Sequence, residues 1–155
     1  MDSLLPSPKK GLKGSPALFS CRIYGVLRRG REVLLTRSRF LDRQFVNFPG
    51  GGVDLGEGPI EALRREYKEE TGLRIRPIRV LYASEAAHLS SQAPMQIVSI
   101  YWLVESLGGK LKIDGNFSDV VSLFWAPLDR VPKGEMFPSD LEFARRLPNL
   151  LSSSL

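Results

Sequence analysis

The chain has one cysteine and one histidine in 155 residues, and those shortages remove several kinds of chemistry. Cys21 has no partner for an internal disulfide. Its setting, "ALFSCRIYGVL", reads as a strand, which marks it as a small buried thiol rather than a nucleophile. His88 has no second histidine or cysteine with which to build a zinc site of the usual ligands. It has no GxSxG elbow to serve in a Ser-His-Asp triad either. Long apolar runs are missing too: none approaches the ~20 residues that span a bilayer. The opening "MDSLLPSPKKGLKGSP" lacks the apolar stretch of a secretory signal and carries prolines instead. A cytoplasmic protein with no membrane partner is the expectation.

What is present describes one ordinary globular domain, with 43% hydrophobic and 25% charged residues. The formal net charge is +5 and the isoelectric point near 9.6, which suits an anionic partner. The basic residues alternate with acids rather than forming a tract. No helix-turn-helix, RNA-recognition or zinc-finger pattern accompanies them, so nucleic acid is not the expected partner. Small phosphate-bearing molecules are.

Along the chain, residues 1–16 read as a flexible leader, 17–150 as a single domain and 151–155 as a frayed tail. "LFSCRIYGVLRRGREVLLTRSR" predicts a hairpin with its glycine near the turn. "RQFVNFPGGG" predicts a short strand halted by Pro49. A helix follows, with Pro59 in its first turn and Gly72 just past its end. "IRPIRVLYASE", "MQIVSIYWLVE" and "VVSLFWAPL" are strand candidates, and "AAHLSSQAP" a loop. "SDLEFARRL" reads as a short helix capped by Ser139 and ended before Pro148. Strands dominate, with one helix inserted and one terminal, which makes a mixed α/β domain.

The inserted helix carries the informative pattern. Ile60, Leu63 and Tyr67 fall at i, i+3 and i+7 and form a stripe for packing on a sheet. Glu66, Glu69 and Glu70 occupy the adjoining arc, beside the buried face rather than opposite it. Like charges at these spacings repel, more strongly where the dielectric falls. Clustered hard oxygens suit Mg²⁺ or Mn²⁺, whereas the three glutamates taken alone favour a solvated face paired with Arg or Lys. The preceding "PGGGVDLGEG" adds a glycine-rich approach from a strand, with Glu57 near the helix start. It is neither GxxxxGKS/T nor GxGxxG, so the two common nucleotide loops are absent.

The combination resembles the Nudix hydrolase family, whose box is written GX5EX7REUXEEXGU, with U aliphatic. Gly51, Glu57, Arg65, Glu66, Glu69, Glu70, Gly72 and Leu73 match it at every fixed spacing. Tyr67 stands where an aliphatic U is usual, a departure expected to alter packing rather than chemistry. The resemblance implies an α/β/α sandwich around a mixed β-sheet. It also implies hydrolysis of a nucleoside diphosphate linked to another group: a nucleotide sugar, ADP-ribose, a nucleoside triphosphate or a dinucleoside polyphosphate. Mg²⁺ or Mn²⁺ would be the cofactor, held by Glu66, Glu69, Glu70 and a backbone carbonyl at Gly51. Catalytic roles are implied for Glu66 as base, for Arg65 as a clamp on a glutamate, and for Glu57 as part of the acidic cluster. Asp119 is expected to bring a further carboxylate from outside the helix, with Asp114, Glu85 and Glu135 as competitors.

Two rival expectations are a Nudix-fold module that binds a nucleotide without cleaving it and a basic nucleic-acid-binding protein. The complete set of box glutamates favours the hydrolase. Substrate contacts are unassigned. Phe45, Phe48, Tyr82, Tyr101 and Trp102 are aromatics able to stack on a base, although strand aromatics are more often core. His88 reads as a surface loop histidine without a role. A homodimer is compatible with the family resemblance.

Overall fold

The computed structural model describes residues 18–90, 94–116 and 119–152. The expected leader 1–16 lies outside them, as do residues 153–155 of the expected tail. Strand β1 (Leu18–Arg29) turns at Gly30, φ 59°, into β2 (Glu32–Phe40), the hairpin read from the sequence. The two strands pair only beside the turn, at Arg28↔Val33 and Arg29↔Glu32. Beyond it they part and recruit different neighbours. β2 takes β3 (Arg43–Asn47) and, on its other side, β8 (Val120–Pro127). β1 takes β4 (Gly50–Gly52) antiparallel and β7 (Met95–Gly109) parallel, from Leu18↔Met95 to Leu27↔Val104. β5 (Leu73–Ala83) and the two-residue β6 (His88–Leu89) pair antiparallel with β7. The result is a mixed sheet split into two halves that meet at one hairpin end.

Side-chain alternation buries both faces of that sheet. Ile23 and Leu27 of β1 and Leu34 of β2 point to one side, where α1 (Pro59–Thr71) lays down Ala62, Leu63 and Tyr67. Tyr24, Val26, Val33 and Leu35 point to the other, where α2 (Pro138–Leu151) contributes Phe143, Ala144, Leu147 and Leu151. Each Val, Leu, Ile or Phe among them taken fully out of water contributes roughly 1.5–3 kcal/mol. The architecture is therefore the expected α/β/α sandwich around a mixed sheet.

Several local expectations are corrected. The short strand β3 does stop before Pro49, but the glycine cluster beyond it forms a strand of its own, Gly50–Gly52 pairing with Arg22–Tyr24. The segment expected as the loop "AAHLSSQAP" contains β6, and its residues 91–93 lie outside the described part. The final helix is capped by Phe137, with Pro138 at its first position and Ser139 buried inside the first turn. It runs past Pro148 to Leu151, which the sequence assigned to the tail but which is fully buried. Burying Leu147 and Leu151 outweighs the backbone hydrogen bond that Pro148 forgoes.

Tyr67, the departure from the box, is fully buried, and its hydroxyl donates to the Gly25 carbonyl at 3.0 Å. A Cβ on Gly25 would stand 2.5 Å from the Tyr67 ring, so the large side chain depends on the absent one. Gly25→Ala is expected to cost about 1–3 kcal/mol through overpacking. In a Tyr67→Leu background the same change should cost less than ~0.5 kcal/mol, a non-additivity that a double-mutant cycle by urea denaturation measures directly. Equal costs in the two backgrounds would sever the link.

Candidate active site

The site begins where β4 passes under α1. Pro59 opens the helix and Gly72 closes it in the left-handed conformation, φ 82°, so Glu66, Glu69 and Glu70 lie on its last two turns. The backbone N–H of Gly50 donates to Glu70 Oε2 at 2.9 Å. Gly50 adopts φ 152°, and a Cβ there would lie 2.1 Å from the Ile23 carbonyl oxygen. At Gly51 a Cβ would lie 2.5 Å from Glu66 Oε1. Both glycines are thus required by contact: one lets β4 dock on β1, the other leaves room for a carboxylate.

Arg65 organises the acidic groups on the loop side. Its Nε donates to Glu57 Oε2 at 2.7 Å and a terminal nitrogen to Glu57 Oε1 at 2.9 Å, a two-pronged grip on one carboxylate. The remaining donors reach Glu66 at 3.0 Å, Glu69 at 3.5 Å and the Gly52 carbonyl at 3.2 Å. The Arg65 bonds, with the Asp54 N–H, hold the Glu57 carboxyl down to about 2. Glu57 therefore stays charged and committed to Arg65, which locks the glycine loop to the helix.

Glu70 has a different environment. It is buried, and burial together with the nearby charges of Glu66 and Asp119 pushes its proton affinity well above the usual carboxylate value. The Gly50 N–H and Arg22 oppose the shift without cancelling it. Glu66 is also raised, by burial and by Glu69, against the pull of Arg65. Glu69 remains mostly exposed on the Arg65 side, its side chain 57% accessible.

A cavity of about 380 Å³ opens from Glu70, Gly50 and Asp119. It lies in the gap left by the parting of β1 and β2, and its walls come from both halves of the sheet: Arg22, Tyr24, Arg39, Asn47 and Ile97 among them. Phe45 and Phe137, with ring centroids 4.6 Å apart, flank one part, and Ser139 and Asp140 of α2 close it. Asp140 accepts a hydrogen bond from the Tyr101 hydroxyl at 2.6 Å, and burial lifts its carboxyl to about 6. His88 also lines the cavity, fixed by a 2.7 Å contact between Nε2 and Glu142 Oε2.

Asp119 thus shares the cavity with Glu70. The three competing carboxylates do not line it. Glu135 pairs with Arg37 at 2.7 Å, Glu85 with Arg146 at 3.3 Å, and Asp114 sits exposed in a turn. Of the aromatics considered from sequence, Phe45 faces the cavity, whereas Phe48 and Tyr101 are fully buried core. His88 is not an idle surface histidine. Arg22, Asn47, Phe137 and Asp140 were missed, because no local pattern sets them apart from other strand and helix residues. The alternation of β1 carried one signal: an arginine between Cys21 and Ile23 in an apolar strand.

Among the described residues, no three acidic, histidine or cysteine side chains converge as a closed metal cage. The donor set nevertheless fits a hydrated hard cation, which takes one or two carboxylates and fills its remaining positions with water and substrate oxygens. The fit rests on charge. A buried Glu70, crowded by Glu66 and Asp119 and held by one backbone N–H, is a place where a divalent ion removes repulsion. Glu66 and Glu70 are the two residues best placed to hold it.

Known proteins share both the pattern and the fold. The NUDIX domain family model matches residues 20–147. An 8-oxo-dGTP diphosphatase of Haemophilus influenzae is 31% identical over 108 residues, 68% of this chain and 72% of its own. An ADP-ribose pyrophosphatase of Methanocaldococcus jannaschii is 30% identical over 93 residues, 57% of this chain and 52% of its own. The solution structure of the E. coli ORF135 protein superposes with a TM-score of 0.71 at 20% identity, covering 88% of this chain and 94% of that one. This chain belongs to the Nudix family, as a hydrolase acting on phosphoric anhydrides. Among the described residues no helix is long and apolar enough to cross a membrane.

The raised Glu70 carboxyl has a measurable consequence. The folded protein keeps this proton at pH values where the unfolded chain, near 4.5, has released it. Without metal, stability therefore falls as pH rises from about 4.5 toward the folded value. Glu70→Gln is expected to match or exceed the wild-type Tm at pH 7 in chelator and to lose that advantage near pH 4. Thermal melts followed by circular dichroism test it, and a lower Tm for the variant at pH 7 would contradict it.

Proposed function

We propose that this protein is a divalent-cation-dependent pyrophosphohydrolase of nucleoside diphosphates linked to a second group, the nucleoside seated in the cavity beside α1. One observation carries the reading: Glu70, crowded by Glu66, lines a cavity that offers both flat apolar walls and buried polar groups. Phe45 and Phe137 suit the faces of a base, and Asn47, Ser139 and Asp140 its polar edge. That placement leads the phosphates toward Gly50 and Glu70. The 8-oxo-dGTP diphosphatase and ADP-ribose pyrophosphatase relatives act on compounds of this type by their names.

A bound Mg²⁺ or Mn²⁺ would neutralise phosphate oxygens and make a coordinated water more acidic. Glu66 and Glu70 would hold the ion, and Asp119 would add a further carboxylate from the cavity lining. Glu69 supports the cluster from the solvent side, and the Gly51 carbonyl lies on the strand facing it. Glu66 takes a proton from the attacking water, for which its raised proton affinity suits it. Water adds to one phosphorus, the bridging P–O bond breaks, and the second phosphate leaves with its electron pair. Arg65 and Glu57 take no part in the proton transfer; they hold Glu66 and the glycine loop at fixed separation.

The test is a panel of 8-oxo-dGTP, dGTP, ADP-ribose, UDP-glucose and diadenosine tetraphosphate, with Mg²⁺ or Mn²⁺ and with chelator, reading released phosphate and nucleotide. Metal-dependent turnover of at least one compound is expected. Glu66→Gln should lower kcat by about 10²–10⁴-fold. Asp119→Asn should lose roughly 10–100-fold and recover partly at higher Mn²⁺. Turnover that survives chelation would refute the metal assignment. Nucleotide binding without any turnover would identify a non-cleaving module instead.

A further inference from the structure

Arg22 lines the cavity together with Glu70, Asp140 and a second arginine, Arg39. Arg22 rises from β1 among Asp140, Glu66 and Glu70, and each of these charges acts on it. Among the described residues, its single hydrogen bond runs from Nε to the Tyr24 hydroxyl at 2.7 Å. Tyr24 is itself buried, its hydroxyl pushed up to about 12, so it is a fixed acceptor that keeps its proton at neutral pH. The guanidinium is thus aimed from behind through Nε. Its terminal nitrogens make no hydrogen bond to the described residues. One of them, Nη1, lies 3.8 Å from where a Gly52 Cβ would be, which sets it beside the glycine strand.

A half-buried guanidinium with unused donors and a fixed stem is a poor device for stability alone. Neutralising three carboxylates would be done better by direct ion pairs, and none to Arg22 forms. The unused donors instead belong to a cavity-lining side chain that lies beside the glycine strand and feels the charges of Glu66 and Glu70. Resting on the nucleotide reading above, we infer that Arg22 is a phosphate-contact residue for the phosphate attached to the nucleoside. It would hold that group by charged hydrogen bonds on the side opposite the carboxylates. Tyr24 is then a positioning residue, because it sets the guanidinium without touching substrate.

The assignment predicts a specific loss. Arg22 should distinguish a nucleoside monophosphate from its nucleoside, since the two differ only in the group it is said to grip. The probes are AMP and GMP against adenosine and guanosine, titrated by calorimetry with Mg²⁺ into wild-type, Arg22→Gln and Arg22→Lys proteins. Wild type should prefer the better-bound monophosphate over its nucleoside. Arg22→Gln should reduce that preference by roughly tenfold or more, and Arg22→Lys should fall between. Each preference is a ratio within one protein, so a partly unfolded sample lowers both affinities and leaves the ratio intact. Tyr24→Phe should weaken the preference by a smaller factor. An unchanged preference in Arg22→Gln would overturn the inference, and so would wild-type protein that binds monophosphate no better than nucleoside. A failure of the hydrolase reading shows separately, as absent turnover by wild type on the substrate panel.

Discussion

The approach of the glycine strand to the helix underlies everything the site does. β4 can lie on β1 because Gly50 carries no side chain against the Ile23 carbonyl, and Glu66 can lie against β4 because Gly51 carries none either. That contact puts a backbone N–H on Glu70 and brings a second carboxylate alongside. Two carboxylates are so held out of water where each disfavours the charge of its neighbours. Arg65 supplies the opposing force on the outer side, binding Glu57, Glu66 and the Gly52 carbonyl into one rigid unit. The repulsion is not relieved by relaxation, because the strand and helix that bear it are both anchored in the core.

A second constraint follows from how β1 and β2 are paired. They share only two register pairs at the turn and then serve different halves of the sheet. The parting costs backbone hydrogen bonds between them, which β4 supplies to β1 and β8 helps supply to β2. It leaves a wedge of space with strands on both sides and α2 across one end. Glu70 lines this wedge, so the anchoring of the acidic groups and the opening of a cavity come from one topological choice. Asp140 and Tyr101, linked at 2.6 Å, tie α2 to β7 at the cavity floor.

The box was legible because its chemistry is local. Eight residues in one continuous run, from β4 through loop and helix to the start of β5, keep their meaning at fixed spacing, so Glu70, Gly51 and Arg65 could be singled out without a structure. Helix ends were legible for the same reason, with Pro59 and Gly72 acting on their own turns. Residues that meet only through register were not. Arg22, Asn47, Phe137 and Asp140 come from β1, β3 and the start of α2, and nothing in their neighbourhoods distinguishes a cavity-facing side chain from a core one. Pro148 misled for a related reason: local propensity argued for a stop, while Leu147 and Leu151 had burial waiting on the distant sheet. Asp119 came into view through family resemblance, and its nearness to Glu70 is a property of the folded chain.

The parallel pairing of β1 with β7 also bears on how the chain comes into being. β1 is complete at residue 29, yet its main partner spans residues 95–109. During synthesis from the N-terminus, the glycine strand, the helix and every box glutamate emerge before that partner exists. β1 is then supported on one edge alone, by a three-residue strand and a hairpin end. Pairings of such long sequence separation form late, after the entropy of closing the intervening chain has been met. Glu66 and Glu70 lie side by side as soon as α1 forms, so what comes late is their burial against the completed sheet, which is what raises the cost of their repulsion.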